Sequence, residues 1–192
     1  MRPRCERCRR PAGHCLCGLI PQLASRTRVL VLQHPSEADH ALNTGRLAVL
    51  GLANAALQVG EQFEPALWQQ AGYSPCVLFP GEGALPLAAG GPPRLLIVPD
   101  GTWRKARKLL HLNPALAALP RVSLGEAGAS NYRLRKAPGP GALATIEAVT
   151  QALETLEAPA SYQALLRPFE ALIEGQINAM GAATYARNHQ RQ

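Results

Sequence analysis

Four cysteines lie close together near the start of the chain. Cys5, Cys8, Cys15 and Cys17 follow a C-x2-C-x6-C-x-C pattern, whereas Cys76 stands apart. Four thiolates in a segment too short and too polar to build its own core can fold around a tetrahedral zinc ion. Because the protein supplies all four ligands, such a site is structural and has no open position for catalysis. Two disulfides or four inert thiols are the alternative interpretation.

An acidic residue follows a predicted buried strand. The apolar run Leu95–Val98 predicts that strand, and Asp100 and Gly101 form its exit turn. Thr102 then predicts the N-cap of a helix over Trp103–Leu112. In open α/β sheets ligands bind at the carboxyl ends of strands, and a helix amino terminus there favours negative charge. Asp100 is therefore a candidate for binding chemistry, with a turn acid that caps the following helix as the alternative.

This helix also presents a cationic surface. Trp103, Ala106 and Leu110 share one side of it, which predicts packing of the tryptophan near Asp100. Its other sides carry Arg104, Lys105, Arg107 and Lys108.

Charge is clustered along the chain. The formal net charge is +7 and the isoelectric point is about 9.6. Residues 1–28 and residues 100–136 each carry a net charge of +6, and the remainder is acidic. Two concentrated basic regions are typical of a protein that binds a polyanion. The alternative is a solvated surface that serves solubility.

Composition predicts a single globular domain with a small appendage. The chain has 192 residues, of which 47% are hydrophobic, and this is enough for one proper core. We divide it into a basic four-cysteine segment over residues 1–24 and a main domain over residues 25–192. We expect no membrane span, because no apolar stretch approaches about twenty residues. The absence of a visible secretory signal favours the cytoplasm and reduced thiols.

The predicted elements alternate between strand and helix, which indicates an α/β fold with a mostly parallel sheet and helices on both faces. The predicted strands are Arg28–Gln33, Cys76–Phe79, Leu95–Val98 and Arg121–Leu124, and the predicted helices are Leu42–Leu57, Trp103–Leu112, Ile146–Leu156 and Tyr162–Met180. Pro86–Pro93 and Ala137–Gly141 read as loops. The connection Gly125–Thr145 is long enough to indicate a functional loop.

Five motifs in the same order resemble those of the DTW-domain family, the tRNA-uridine aminocarboxypropyltransferases. They are Gln33-His34-Pro35-Ser36-Glu37, Asn43-Thr44-Gly45-Arg46-Leu47, Leu78-Phe79-Pro80, Asp100-Gly101-Thr102-Trp103 and Tyr132-Arg133-Leu134-Arg135-Lys136. The resemblance spans essentially the whole chain. One departure is Ala144, which precedes Thr145 where the family usually has serine, so a role of that serine hydroxyl does not carry over.

For architecture, the resemblance implies a SPOUT-like domain whose C-terminal part forms a trefoil knot that holds S-adenosylmethionine. The cofactor would lie against loops at the carboxyl ends of neighbouring strands and against the knot loop. The residues this assigns to the cofactor are Leu78, Phe79, Pro80, Gly81, Thr102, Trp103, Leu124, Tyr132, Arg133 and Thr145. Thr145 also reads as a helix N-cap, and Leu78 and Phe79 also read as ordinary core residues.

For activity, the resemblance implies transfer of the 3-amino-3-carboxypropyl group from S-adenosylmethionine to N3 of a tRNA uridine, with release of methylthioadenosine. Asp100 is then the candidate general base, or the group that orients the uracil edge. Trp103 packs near the site or stacks on the target base. The residues expected to contact tRNA are Arg9, Arg10, Arg104, Lys105, Arg107, Lys108, Arg135 and Lys136.

Two alternative functions use the same basic surfaces. An S-adenosylmethionine-dependent RNA methyltransferase would release S-adenosylhomocysteine in place of methylthioadenosine. A non-catalytic, zinc-stabilised RNA-binding protein would bind RNA but no cofactor. The sequence leaves the oligomeric state open.

Overall fold

Six parallel strands form one sheet at the centre of the molecule. The computed structural model describes residues 3–125 and 143–181. The strands are β1 (Arg28–Gln33), β2 (Ala55–Val59), β3 (Ser74–Leu78), β4 (Leu85–Pro86), β5 (Arg94–Asp100) and β6 (Arg121–Ser123). Their order across the sheet is β2-β1-β5-β3-β6-β4. This arrangement confirms the predicted α/β class with a parallel sheet.

The register between β1 and β5 brings two polar residues together. The two strands run parallel from the pair Arg28 and Leu95 to the pair Gln33 and Asp100. The last residue of β1 and the last residue of β5 therefore lie side by side at the carboxyl edge of the sheet.

Within the described residues, five α-helices surround the sheet. They are α1 (Gly45–Leu50), α2 (Trp103–Leu112), α3 (Pro114–Ala117), α4 (Thr145–Leu156) and α5 (Arg167–Met180). Helix α2 has the predicted bounds, because Thr102 accepts a hydrogen bond from the Lys105 amide and Asn113-Pro114 stops the helix. Among the described helices, none combines the length and apolarity that a bilayer crossing requires.

The sheet is covered on both faces, as predicted. Alternate β-strand side chains point to opposite faces, so Val29 and Val31 lie in the cluster with Leu153 and Phe169 of α4 and α5. The opposite face holds Leu30, Leu32, Leu95 and Ile97, packed with Ala106, Leu110 and Leu116 of α2 and α3. The cysteine-rich segment joins the first cluster through Cys8, Leu16 and Ile20.

The prediction of one helix over Leu42–Leu57 was wrong. The structure has a short helix, α1, followed by strand β2. Gly51 is the C-cap of α1, and the residues from Ala55 to Val59 pair with β1 as the edge strand of the sheet. Sheet pairing at that edge overrides the local helical pattern, because tertiary context outweighs weak propensity.

Smaller differences occur at other boundaries. The segment predicted as a helix from Tyr162 begins as a 3-10 turn, and α5 starts only at Arg167, with Pro168 in its first turn. Pro86, predicted in a loop, pairs with Ser123 as part of β4. Helix α3 was not predicted.

The buried centre of the sheet should carry much of the stability. Ile97 in β5 is fully buried, whereas the β4 residue Leu85 is 66% exposed. We expect Ile97→Ala to lower the free energy of unfolding by about 2–5 kcal/mol, because it removes buried methyl groups and leaves a cavity. Leu85→Ala should change it by less than about 0.5 kcal/mol.

Urea unfolding followed by circular dichroism measures both values. Equal losses in the two variants would contradict the assignment of Ile97 to the core.

Candidate functional site

Two residues that the structure describes donate to Asp100 at the carboxyl edge of the sheet. It is buried, with 8% of its surface exposed, and Gln33 beside it is fully buried. Gln33 Nε2 donates to Asp100 Oδ2 at 2.6 Å, and the Thr145 hydroxyl donates to Asp100 Oδ1. These contacts come from β1 and from the first residue of α4. These hydrogen bonds therefore hold the Asp100 carboxylate group in one orientation.

The Gln33 amide has a defined orientation as well. Its nitrogen lies between Asp100 Oδ2 and Asn43 Oδ1, the latter at 3.2 Å, and both are acceptors. Asn43 in turn accepts from the Arg46 amide and donates to the Glu37 carbonyl. Gln33 Oε1 is buried and has no hydrogen-bond partner among the described residues. A buried acceptor without a donor is costly, so this oxygen can accept from a group that enters the site.

Gly45, the first residue of α1, lies against the carboxylate. A Cβ atom at this position would be 2.8 Å from Asp100 Oδ2 and 3.3 Å from Val31 Cγ1. The absence of a side chain therefore allows the backbone of α1 to approach Asp100 closely.

The turn that joins β5 to α2 is also tightly packed. A Cβ atom on Gly101 would lie 3.0 Å from the Cβ atom of Lys105, so the turn into α2 also needs glycine. Thr102 caps α2, and Asp100 is thus not needed as the cap.

An aromatic pair lies at the same edge. The rings of Phe79 and Trp103 meet edge to face, with centroids 5.4 Å apart and planes at 65°. Phe79 is buried, whereas 38% of Trp103 is exposed. Trp103 thus packs against Phe79 and retains an accessible surface.

The other residues predicted to contact a cofactor follow neighbouring strands. Leu78 ends β3 and is buried, Pro80 and Gly81 are exposed beyond it, and Leu124 follows β6 half-buried. Thr145 is the first residue of α4 and Ala144 is its N-cap, so the expectation that Thr145 is the N-cap was wrong. Its hydroxyl contacts Asp100, and Glu147 accepts from the Ala144 amide at 2.7 Å. Tyr132, Arg133, Arg135 and Lys136 lie outside the described residues.

Two carboxylates that the sequence reasoning missed neutralise part of the basic surface of α2. Lys105 Nζ lies 2.7 Å from Glu37 Oε1, and Lys108 Nζ lies 2.8 Å from Glu61 Oε1. Arg104 and Arg107 are exposed, and neither has an ion pair with a residue that the structure describes. The accessible positive charge of α2 therefore centres on the two arginines.

Glu61 also contacts His34, the residue that follows β1. His34 Nε2 lies 2.8 Å from Glu61 Oε1, and His34 Nδ1 accepts from the Ser36 amide. The Lys108 hydrogen bond lowers the pKa of Glu61 from its usual 4.5, and His34 adds to this effect. Glu61 therefore ties the loop after β1 to α2.

The four clustered cysteines have the arrangement of a metal site. Their sulfur atoms all lie within 4.8 Å of one another, with Cys5 and Cys17 at 3.6 Å and Cys8 and Cys15 at 3.8 Å. Tetrahedral coordination with metal–sulfur distances of about 2.3 Å requires sulfur–sulfur distances of about 3.8 Å. The spacing therefore fits a four-thiolate metal centre.

Within this cluster, the backbone favours the thiolate of Cys5. Hydrogen bonds from the amides of Cys8 and Arg7 lower the pKa of Cys5 to about 6. Burial and the neighbouring thiols raise the pKa of Cys17 to about 12. Four thiols so close together cannot all ionise unless a cation lies among them, and a bound metal ion meets that condition.

Arg10 connects the cysteine cluster with the loop after β1. Its guanidinium is buried and donates to the carbonyl oxygens of Ala41 and Asn43. Asn43 is the residue that contacts Gln33. Arg10 thus has a structural role in this part of the fold, whereas the Arg9 side chain is exposed. The RNA contacts expected of both residues stay predictions.

Comparison with known proteins gives consistent matches. The model of the DTW domain matches residues 2–177. A tRNA-uridine aminocarboxypropyltransferase 2 from Drosophila melanogaster is 33% identical over 92% of this chain and 76% of its own length. The Macaca fascicularis protein of the same name is 31% identical over 98% and 68%, and an Arabidopsis thaliana tRNA-uridine aminocarboxypropyltransferase A is 29% identical over 80% and 72%. No solved structure matches the chain significantly.

The bridge at Glu61 predicts a pH effect. Because the folded-state pKa of Glu61 is lowered, its contribution to stability is fully present above the unfolded pKa and is lost as the pH falls through the folded value. In Lys108→Met we expect the Glu61 titration midpoint to rise towards 4.5, as followed by NMR of the side-chain carboxyl carbon.

Arg107→Met is the matched control, because it removes a positive charge from the same helix but no ion pair with a described residue. An equal rise in both variants would show that general charge, and not the Lys108 contact, lowers the pKa of Glu61.

Proposed function

The chain belongs to the DTW domain family, and on that premise we propose that it is a tRNA-uridine aminocarboxypropyltransferase. The observation that carries the proposal is the family match over residues 2–177, which includes both the Asp100 site and the cysteine cluster. The named relatives align with most of this chain and with about two thirds or more of their own length. The enzyme class follows from their names, and the substrate is a uridine of tRNA.

The proposed co-substrate is S-adenosylmethionine. It supplies a sulfonium whose aminocarboxypropyl carbon is electrophilic, so that the C–S bond breaks, a bond to uridine N3 forms, and methylthioadenosine leaves. The edge residues fit such a group, because Trp103 offers a partly exposed aromatic face beside Phe79, and aromatic faces attract cations. Which sulfonium carbon reacts depends on how the chain orients it.

Asp100 is the proposed acceptor of the N3 proton, or the group that aligns the uracil edge. Gln33 and Thr145 each donate to a different oxygen of its carboxylate. They hold the carboxylate in one orientation, which supports in-line attack by the deprotonated nitrogen. Gln33 is thus a positioning residue, and its Oε1 is a second acceptor beside the carboxylate.

The proposed tRNA surface includes the exposed arginines of α2. Arg104 and Arg107 are available for phosphate, whereas Lys105 and Lys108 first have to leave their carboxylate partners. Phosphate contacts of this type position the RNA without reading its sequence.

The cysteine cluster is the proposed site of a structural zinc ion, held by Cys5, Cys8, Cys15 and Cys17. The sulfur spacing supports this proposal, and four thiolate ligands match a closed site. The SPOUT-like knot is likewise a proposal from the family. What supports it is the match to the family over residues 2–177.

The first test is the reaction itself. We expect the protein, incubated with S-adenosylmethionine and an unmodified tRNA transcript, to produce methylthioadenosine and a uridine that carries an aminocarboxypropyl mass. Asp100→Asn should lower the rate by about 100-fold or more if the carboxylate takes the proton. Mass spectrometry of the small molecules and of the digested nucleosides measures both products.

Glu64→Gln, at an exposed carboxylate, is the matched control and should retain the rate. Release of S-adenosylhomocysteine with a methyl mass on the RNA would instead identify a methyltransferase. Binding of tRNA without either product would favour a non-catalytic RNA-binding protein.

The metal proposal has its own test. We expect about one zinc ion per chain in the purified protein and much less in Cys8→Ser, because three thiolates hold the ion more weakly than four. Elemental analysis by mass spectrometry measures the content. Cys76→Ala removes a thiol that lies in β3 outside the cluster and should leave the zinc content unchanged.

A further inference from the structure

A cavity of about 270 Å³ lies between the cysteine cluster, the loop after β1 and helix α5. We call it the arginine cavity, because four arginines line it: Arg4, Arg9, Arg10 and Arg46. His14 and His40 line it as well. Asp39 is the only carboxylate among its described lining residues. The cavity is therefore strongly basic.

Two of these arginines, Arg4 and Arg46, have a weak carboxylate partner or none among the described residues. The ion pair between Arg4 and Asp39 has a separation of 3.6 Å, and the Asp39 side chain is 93% exposed. Exposed pairs of this type contribute little. Arg46 forms no ion pair with any described residue, and its Nε is buried without a hydrogen-bond partner in that part of the chain. An anion in the cavity would balance the charge of Arg46.

Helix α5 leaves room for that anion. Ala171, Gly175 and Ala179 follow one another at intervals of four residues and therefore lie on the same side of the helix. A Cβ atom added at Gly175 would meet no described atom within 4 Å. The small side chains thus form the apolar floor of a cavity whose walls carry guanidinium groups.

The arginine cavity is linked to the Asp100 site. Asn43 lines the cavity and its side chain contacts Gln33, which contacts Asp100. The loop that joins them follows β1, whereas the loops expected to hold the cofactor follow β3, β5 and β6. Since β5, which ends at Asp100, has β1 on one side and β3 and β6 on the other, the loop after β1 and the loops after β3 and β6 flank Asp100 on opposite sides.

We propose that the arginine cavity binds a phosphodiester group of the tRNA strand that carries the target uridine. This proposal rests on the proposed function. Guanidinium groups form paired hydrogen bonds with phosphate oxygens, and an anchored phosphate would hold the strand so that its base enters beside Asp100. The opposite position of the cofactor loops favours an RNA phosphate over the cofactor carboxylate as the anion.

The test changes the charge of the cavity without removing any arginine. Gly175→Glu and Gly175→Gln insert side chains of the same size into open space, and only the former repels phosphate. We expect the dissociation constant for an unmodified tRNA transcript to be on the order of tenfold larger for Gly175→Glu than for Gly175→Gln. The slope of log affinity against log salt should be less steep by about one in Gly175→Glu. Filter binding over a series of salt concentrations measures both quantities.

Two controls separate a phosphate site from a general charge effect and from a cofactor site. Gln69→Glu makes the same charge change at an exposed position elsewhere and should leave tRNA affinity within about twofold of the wild type. The dissociation constant for S-adenosylmethionine, from calorimetry, should be the same in both Gly175 variants. If Gly175→Glu does not fold by circular dichroism, Arg46→Gln compared with Arg46→Lys replaces the pair, and only the former should weaken tRNA binding.

Equal tRNA affinity in the two Gly175 variants would overturn the proposal, as would an equal loss in Gln69→Glu. Weaker binding of S-adenosylmethionine with unchanged tRNA affinity would also overturn it and would assign the cavity to the cofactor. If the wild-type protein forms no aminocarboxypropyl product but tRNA affinity follows the expected pattern, the proposed reaction fails and the phosphate site stands.

Discussion

The hydrogen bond from Gln33 to Asp100 joins the carboxyl ends of two neighbouring parallel strands, and the geometry of the site depends on it. It exists because the register of β1 against β5 brings residues 67 positions apart in the chain side by side. A shift of one residue in that register would place the two side chains on opposite faces of the sheet. The apolar residues of the two strands, which are buried on both faces, oppose such a shift. Core packing thus determines the orientation of a polar pair.

Around this pair, several elements make close backbone contacts. Helix α1 approaches Asp100 at Gly45, and the turn into α2 is tight at Gly101. Ion pairs then join two loops to α2: the loop after β1 through Glu37 with Lys105, and the loop after β2 through Glu61 with Lys108. The carboxyl edge of the sheet is therefore held by contacts from α1, from the turn into α2 and from the ion pairs on α2.

Local signals in the sequence predicted the elements that local interactions determine. The bounds of β1 and α2 were correct, since an apolar run, a threonine cap and Asn113-Pro114 are each read within a few residues. The cysteine cluster was found for the same reason, because its spacing is short. The helix over Leu42–Leu57 was wrong, since Ala55–Val59 is a strand only through pairing with β1. Gln33, Glu37 and Glu61 were missed as site residues because their partners are distant in sequence, and no alternation or spacing indicates which parallel strands are neighbours.

Arg10 gives the cysteine cluster a role beyond its own fold. The Arg10 guanidinium donates to the loop that carries Asn43. The backbone carbonyl of Arg10 accepts a hydrogen bond from the Cys5 amide. A metal ion held by the four thiols would order this backbone, since its binding energy is also folding energy for the segment. The loop would then lose its conformational entropy when the protein folds, and not at the moment when a substrate arrives. An ion that touches no reacting atom would in this way lower the entropic cost of the encounter with RNA.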